Sequence, residues 1–260
     1  MKSLAVDVAV VALVLGVTAT VQAAPIVRVV GQNGAKTTIN IAPNTETSTG
    51  NIGFTTSSLA VDPSGILYSA DGGGNLYNVS LATPIFAGST GYSQIGDLDY
   101  ASGGLWGFSN TNQVLFFYNF GSSSVTYAAA IPSLAFYNIT GVAYKPSNGS
   151  VFLSGNSGNN ADYLFEVASS STTASLIGSL AQSDSASYIS DIDVAPDGTL
   201  YAMTWFHRYF YTVNTTTATT TFVSMGPHRD VTGMAFRVVP EPASLVALGV
   251  ATAMFLRRKR

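Results

Sequence analysis

The sequence predicts an all-β chain folded as a β-propeller of about five blades. Three observations predict it. A hairpin pattern recurs four times and begins a fifth, the copies are spaced by about one four-stranded blade, and no helical periodicity occurs between Ala24 and Val239. The copies read SLAVDPSGILYSAD from Ser58, DLDYASGGLWGFS from Asp97, GVAYKPSNGSVFLSG from Gly141 and DIDVAPDGTLYAMT from Asp191. Each joins an alternating strand to an aliphatic and aromatic strand through a turn of Pro, Ser, Asn or Asp with Gly, which is hairpin chemistry.

Between the first apolar positions of the copies, Leu59, Leu98, Val142, Ile192 and Met234, the spacings are 39, 44, 50 and 42 residues. A further strand follows each complete hairpin: NLYNVSL from Asn75, VLFFYNF from Val114, DYLFEVA from Asp162 and YFYTVNT from Tyr209. A polar turn and a fourth, weaker strand complete the unit. The chain ends supply the remaining blade. IVRVVGQNGAKTTINIAPN, from Ile26, reads as the third and fourth strands of a blade, and VTGMAFRV, from Val231, reads as a first strand. Together they make one composite blade, with its second strand unassigned, that closes the ring and hides its edges. An open β-sandwich or a solenoid of the same strands is the competing architecture.

The first strand of each copy locates the candidate chemistry, because residues i and i+2 share a face. One face carries Leu59/Val61, Leu98/Tyr100, Val142/Tyr144, Ile192/Val194 and Met234/Phe236 and is expected to pack between blades. The other carries Ser58/Ala60, Asp97/Asp99, Gly141/Ala143, Asp191/Asp193 and Gly233/Ala235 and is expected to line a central channel. Four carboxylates converging there would raise one another's pKa unless a cation or water fills the space. Oxygen-only ligands favour calcium or magnesium, which makes Asp97, Asp99, Asp191 and Asp193 candidate ligands of a structural divalent cation, Ca2+ foremost. The alternative is that they cap main-chain amides or stand solvated.

Asp71-Gly72-Gly73-Gly74-Asn75 lacks a following helix and a Lys-Ser/Thr pair, so it reads as a hairpin turn and not as a phosphate cradle. His207 and His228 are the only histidines, and neither is accompanied by a nucleophile in the usual flanking pattern. Trp205, His207, Arg208 and Tyr209 form an aromatic and basic cluster that could serve as a carbohydrate platform or could pack on its own blade.

Composition narrows the class of partner. Cysteine is absent, which excludes a disulfide framework, a zinc-thiolate site and a thiol nucleophile. From Ala24 to Val239 six bases face twelve acids, a formal charge of −6. A body so acidic, with no clustered Lys or Arg, excludes binding to nucleic-acid backbones.

The two ends carry export signals. Lys2, the apolar stretch Val8 to Val17 and Val21-Gln22-Ala23 form a signal peptide over residues 1–23, cut by signal peptidase after Ala23. A retained N-terminal anchor is the alternative. At the other end, residues 240–260 read PEPASLVALGVATAMFLRRKR. Pro240 and Pro242 around Glu241 keep the triplet extended. The uncharged run Ala243 to Leu256 would cover about 21 Å as a helix, a short membrane span. Arg257, Arg258, Lys259 and Arg260 form a cytoplasmic anchor. A buried core helix with a basic tail is the bland reading, but it would show a polar face, and none is present.

The order Pro-Glu-Pro, hydrophobic helix, Arg-rich end resembles the PEP-CTERM sorting signal of exported bacterial proteins. That resemblance implies recognition by an exosortase, processing near Pro240-Glu241-Pro242, an inner-membrane intermediate and a final place at the cell surface or outside the cell. It further implies a structural or binding role in biofilm or exopolysaccharide. The body, 24–239, is then expected to be no enzyme. The rival expectation is a metal-assisted propeller hydrolase, lactonase-like or glycan-acting, that uses the channel carboxylates.

Overall fold

The computed structural model describes residues 26–41, 45–158, 161–168, 170–181, 188–207, 209–226 and 230–237. The signal peptide and the sorting segment lie outside the described residues, as do Arg208 and His228. Among the described residues no helix is long and apolar enough to cross a membrane. A single 3-10 turn, Pro132–Leu134, is their only helical element.

Twenty strands make five four-stranded antiparallel sheets. β1 (Ile26–Gly31), β2 (Ala35–Asn40) and β3 (Thr45–Asn51) belong to the composite sheet. Blade 1 is β4 (Ala60–Val61), β5 (Leu67–Ala70), β6 (Asn75–Asn78) and β7 (Ile85–Ser89). Blade 2 is β8 (Ile95–Ala101), β9 (Gly104–Ser109), β10 (Val114–Asn119) and β11 (Ser124–Ala130). Blade 3 is β12 (Asn138–Lys145), β13 (Ser150–Asn156), β14 (Asp162–Ala168) and β15 (Ser175–Ser179). Blade 4 is β16 (Ile189–Val194), β17 (Leu200–Thr204), β18 (Tyr209–Val213) and β19 (Thr220–Met225). β20 (Val231–Arg237) completes the composite blade in the order β20-β1-β2-β3.

The burial of each strand follows its rank within the blade. Second strands such as GLWGFS (β9) and LYAMT (β17) are buried along their whole length, whereas fourth strands are largely exposed. The first hairpin of every complete blade turns through a glycine in the left-handed region, Gly65, Gly103, Gly149 and Gly198, at φ between 70° and 89°. A residue with a Cβ would be strained there, which is why the repeat ends each turn on glycine.

The composite blade corrects the expected strand ranks. β1 pairs with β20, Val27 opposite Phe236 and Val29 opposite Met234, so β1 and β2 are the second and third strands rather than the third and fourth. The outermost strand is β3, TETSTGN, which is polar and almost wholly exposed and so carries no apolar alternation to reveal it. The blade therefore has all four strands. Five separate sheets also rule out the sandwich.

The innermost strands β4, β8, β12, β16 and β20 contact one another in that order, and β20 returns to β4. Five apolar clusters fill the five gaps between blades, one per gap. Trp106, Phe108 and Leu115 of blade 2 meet Val142, Leu153 and Phe165 of blade 3. Met203 and Phe210 of blade 4 meet Val27, Val29 and Met234 of the composite blade. Val30, Ile52 and Ala235 meet Leu59, Leu67 and Val79 and close the ring.

This packing corrects the expectation that one face of each inner strand packs between blades while the other lines a channel. In a ring of stacked sheets both faces have a neighbouring blade. Ala60, Ala143 and Ala235, expected at the channel, all sit in inter-blade clusters. What faces the axis is the free edge of each inner strand, with its main-chain N–H and C=O groups.

Candidate functional site

The carboxylates serve that free edge. Asp97 on β8 accepts from Val142 N–H at 2.8 Å and Asp99 accepts from Tyr144 N–H at 2.6 Å, joining blade 2 to blade 3. The same motif recurs two blades on, where Asp191 accepts from Met234 N–H and Asp193 from Phe236 N–H at 2.6 Å. Asp99 and Asp193 also accept from the next residue's N–H, Tyr100 and Val194, each at 2.6 Å. An unpaired buried N–H costs on the order of 1–3 kcal/mol, so an acceptor of fixed geometry is a structural asset at a strand edge.

The alternate junctions have no side chain at the corresponding place. Gly141 abuts Ile192, and a Cβ on it would lie 2.5 Å from Ile192 N. Gly233 abuts Leu59, with its would-be Cβ 3.0 Å from Leu59 N. Asp97, Gly141, Asp191 and Gly233 thus all face the N–H of the first apolar position of the next blade. Of the five junctions, two are bridged by a carboxylate and two are closed by direct approach of the strands; at the fifth, between blades 1 and 2, Ser58 turns its Oγ to its own blade and accepts from Ala70 N–H at 3.1 Å.

Burial pushes all four carboxyls up, Asp99 to about 7 and the other three well above the usual carboxylate range. The charges of Asp97 and then Asp193 raise Asp191 further, and Asp99 does the same to Asp193. Asp97 and Asp191 are within hydrogen-bonding reach of each other, and the Oδ1 of each is buried with no other donor among the described residues. A proton shared between those two oxygens meets both needs. Among the described residues, no group of three or more His, Cys, Asp or Glu side chains is placed to hold a metal ion.

Two mouths open on either side of this plug. At the C-terminal ends of the inner strands, a cavity of about 600 Å³ is lined by the hairpin turns and by Asp99, Asp193, Tyr100, Tyr144 and Phe236. Ile26 pairs with Arg237 at this end, so both termini of the propeller leave from this face. At the N-terminal ends, a cavity of about 510 Å³ is lined by residues from all five blades. Its floor is Gly96, Thr140, Ser190 and Thr232, each one residue before the ring of Asp and Gly.

Of the expected aromatic platform, Trp205, His207 and Tyr209 are joined in one run of ring contacts through Phe206, whose ring lies 6.0 Å from Trp205 and 5.6 Å from His207. Trp205 lies at the N-terminal mouth, its ring 5.1 Å from Tyr188 at an interplanar angle of 25°, and its main-chain N–H donates to Tyr188 O at 3.0 Å. His207 stacks on Tyr209 at 5.9 Å and Tyr209 meets Phe222 edge to face at 5.5 Å, and neither His207 nor Tyr209 is among the residues that line the mouth. Tyr188 was not singled out by sequence, because it ends the Ser-rich stretch AQSDSAS that has no strand alternation.

Fold and site define a five-bladed β-propeller whose axis is plugged by carboxylates. No family model matches the chain, and no curated protein matches it. Among solved structures, the chain is similar to one from the nidogen/laminin complex, with a TM-score of 0.59 at 9% identity over 82% of this chain and 98% of the other. A chain of hydrazine synthase from Kuenenia stuttgartiensis aligns at TM-score 0.47 and 12% identity over 77% of this chain and 66% of that one. The first likeness supports the propeller fold.

Proposed function

We propose that this chain is an exported, non-catalytic binding propeller. In this reading it is held at the inner membrane through Ala243 to Arg260, recognised at Pro240-Glu241-Pro242 by an exosortase and placed at the cell surface or in an extracellular polysaccharide matrix. The observation that carries the binding half is the occupation of the channel carboxylates. Asp97, Asp99, Asp191 and Asp193 each have an oxygen on a main-chain N–H of the next blade, which suits a structural plug and leaves poor freedom for a general acid or base. The sorting half rests on the order of the three parts of 240–260.

The rival hydrolase would lose turnover when Asp97 and Asp191 become Asn in a chain that remains folded. For the sorting half, Pro240, Glu241 and Pro242 are replaced together by alanine and the chain is followed by fractionation. The expected result is an unprocessed chain in the inner membrane, and normal release of that variant would refute the assignment.

A further inference from the structure

We propose that the N-terminal mouth is a binding site for a neutral saccharide, with the Trp205 ring as its stacking surface. The proposal deepens the binding reading above and rests on it, adding the place and the class of ligand.

The mouth is built in a regular way. The composite blade contributes Gln32, the approaches to blades 1 and 2 contribute Thr55 and Gln94, and blade 3 contributes Asn138. All four are exposed, and among the described residues their side chains make no hydrogen bond to the rest of the chain. Blade 4 departs from the pattern and offers the half-buried Tyr188–Trp205 pair instead. The result is a ring of amides and a hydroxyl, able to donate and accept, beside one aromatic surface.

Charge decides the class of ligand. Among the described residues, the lining holds no Lys, Arg or His, and its sole charged residue is Asp71. That carboxylate is occupied, accepting from Gly73 N–H at 2.9 Å and Asn75 N–H at 3.0 Å on one oxygen and from Asn75 Nδ2 and the Tyr77 hydroxyl on the other. Among these described residues a phosphate or carboxylate ligand would find no cation, and a cationic ligand would find no free anion. A polyhydroxylated neutral molecule matches both parts: its hydroxyls pair with the amide ring, and its C–H face lies on the indole. The volume of about 510 Å³ accommodates a short stretch of sugar chain rather than a single small ion.

The backbone supports the same place. Gln94 is held at φ 49°, in the left-handed region, with its N–H on Gly72 O at 3.2 Å and its carbonyl accepting from Asn110 N–H at 3.0 Å. A non-glycine residue fixed there costs energy, and such positions cluster where a side chain must be presented.

The test is calorimetric titration of the full chain, purified in a polyoxyethylene detergent that carries no sugar headgroup, with cellohexaose, maltohexaose and xylohexaose, and with hexaguluronate as a charged control. At least one neutral hexasaccharide is expected to bind. Trp205→Ala should weaken it about tenfold or more and Trp205→Phe by about threefold or less. Asn138→Ala and Gln94→Ala, at exposed positions that leave the core intact, should each weaken it measurably, which keeps the test decisive should Trp205→Ala unfold. Absence of binding by all three neutral hexasaccharides, equal binding of hexaguluronate, or unchanged affinity in the folded Trp205 and Asn138 variants would overturn the proposal. Failure here leaves fractionation of the Pro240-Glu241-Pro242 variant unaffected, so loss of this site and loss of the sorting reading are told apart.

Discussion

Asp97 and Asp191 come within hydrogen-bonding reach of each other, each with its Oδ2 on a main-chain N–H of the next blade and its Oδ1 buried without a donor among the described residues. Two carboxylates this close cannot both be ionised at low cost, so burial and their mutual charge favour a protonated pair, which a proton shared between them would provide. Blades 2 and 4, which are not neighbours, are linked through this pair.

The stability of the ring should therefore fall as pH rises. The four carboxyls have folded pKa values above their unfolded ones, so their contribution is fully present below about pH 4 and is lost as pH rises through the folded values. For Asp99 that loss runs from about pH 4 to about pH 7. Asp71 works in the opposite sense. Burial pushes it up, but hydrogen bonds from Asn75, Gly73 and Tyr77 outweigh that and hold it low, so its contribution is lost only as pH falls below about 4. Thermal unfolding between pH 5 and pH 8 should show a midpoint that declines by several degrees, at about 2–4 °C per kcal/mol for a chain of this size. A midpoint that is flat or rises over this range would contradict the shared proton.

Asp97→Asn and Asp97→Ala should act in opposite directions at pH 8. Asparagine keeps an acceptor for Val142 N–H and supplies an N–H of its own to Asp191, replacing the proton with a permanent donor. Its melting point should exceed that of the parent at pH 8 and converge with it at pH 5. Alanine leaves Val142 N–H unpaired and should cost on the order of 1–3 kcal/mol at either pH. Added calcium should not shift the melting point of the parent. A shift that is reversed by chelation, together with destabilisation by Asp97→Asn, would place a cation between the oxygens instead.

Gly141 marks the opposite solution to the same edge problem. A Cβ there would meet Ile192 N at 2.5 Å and Ser154 Oγ at 2.6 Å, and the first of these is main chain that cannot rotate away. Gly141→Ala should force blades 3 and 4 apart and cost about 1–3 kcal/mol, read as a lower denaturant midpoint. An unchanged midpoint would mean that the inner strands are free to separate.

The parts of the fold that alternate in hydrophobicity were legible in the sequence. Leu59, Leu98, Val142, Ile192 and Met234 announce the inner strands because each is wedged between blades, and the turn glycines announce the hairpins because only glycine is at ease there. β3 was illegible because Thr45 to Asn51 packs against nothing on its outer side. The carboxylates, their convergence on the axis and the alternative that they cap main-chain amides were legible, but the strand whose amides they cap was not. Strand alternation assigns a side chain to a face of a sheet, whereas Asp97 and Asp191 turn toward the edge of a neighbouring strand, and no two-residue period encodes that. Tyr188 and the polar ring around Trp205 come from loop positions of five blades brought together only by closure.

Closure has a buried cation at its seam, the only one among the described residues. Lys36 on β2 is 3% exposed and donates to Val79 O at 2.5 Å and Leu81 O at 2.9 Å, tying the composite blade to blade 1 beside the cluster of Val30, Ile52, Leu59 and Val79. Burial and then the charge of Arg28 push its pKa down, and the two carbonyls oppose them by accepting from the ammonium. Lys36→Met keeps the length and apolar stem of the side chain and removes both donors. It should weaken the seam by about 1–3 kcal/mol and lower the unfolding midpoint, and hydrogen exchange at β1 and β20 should accelerate before that at β9 or β13. Uniform exchange across all five blades would show that the ring opens cooperatively and has no preferred seam.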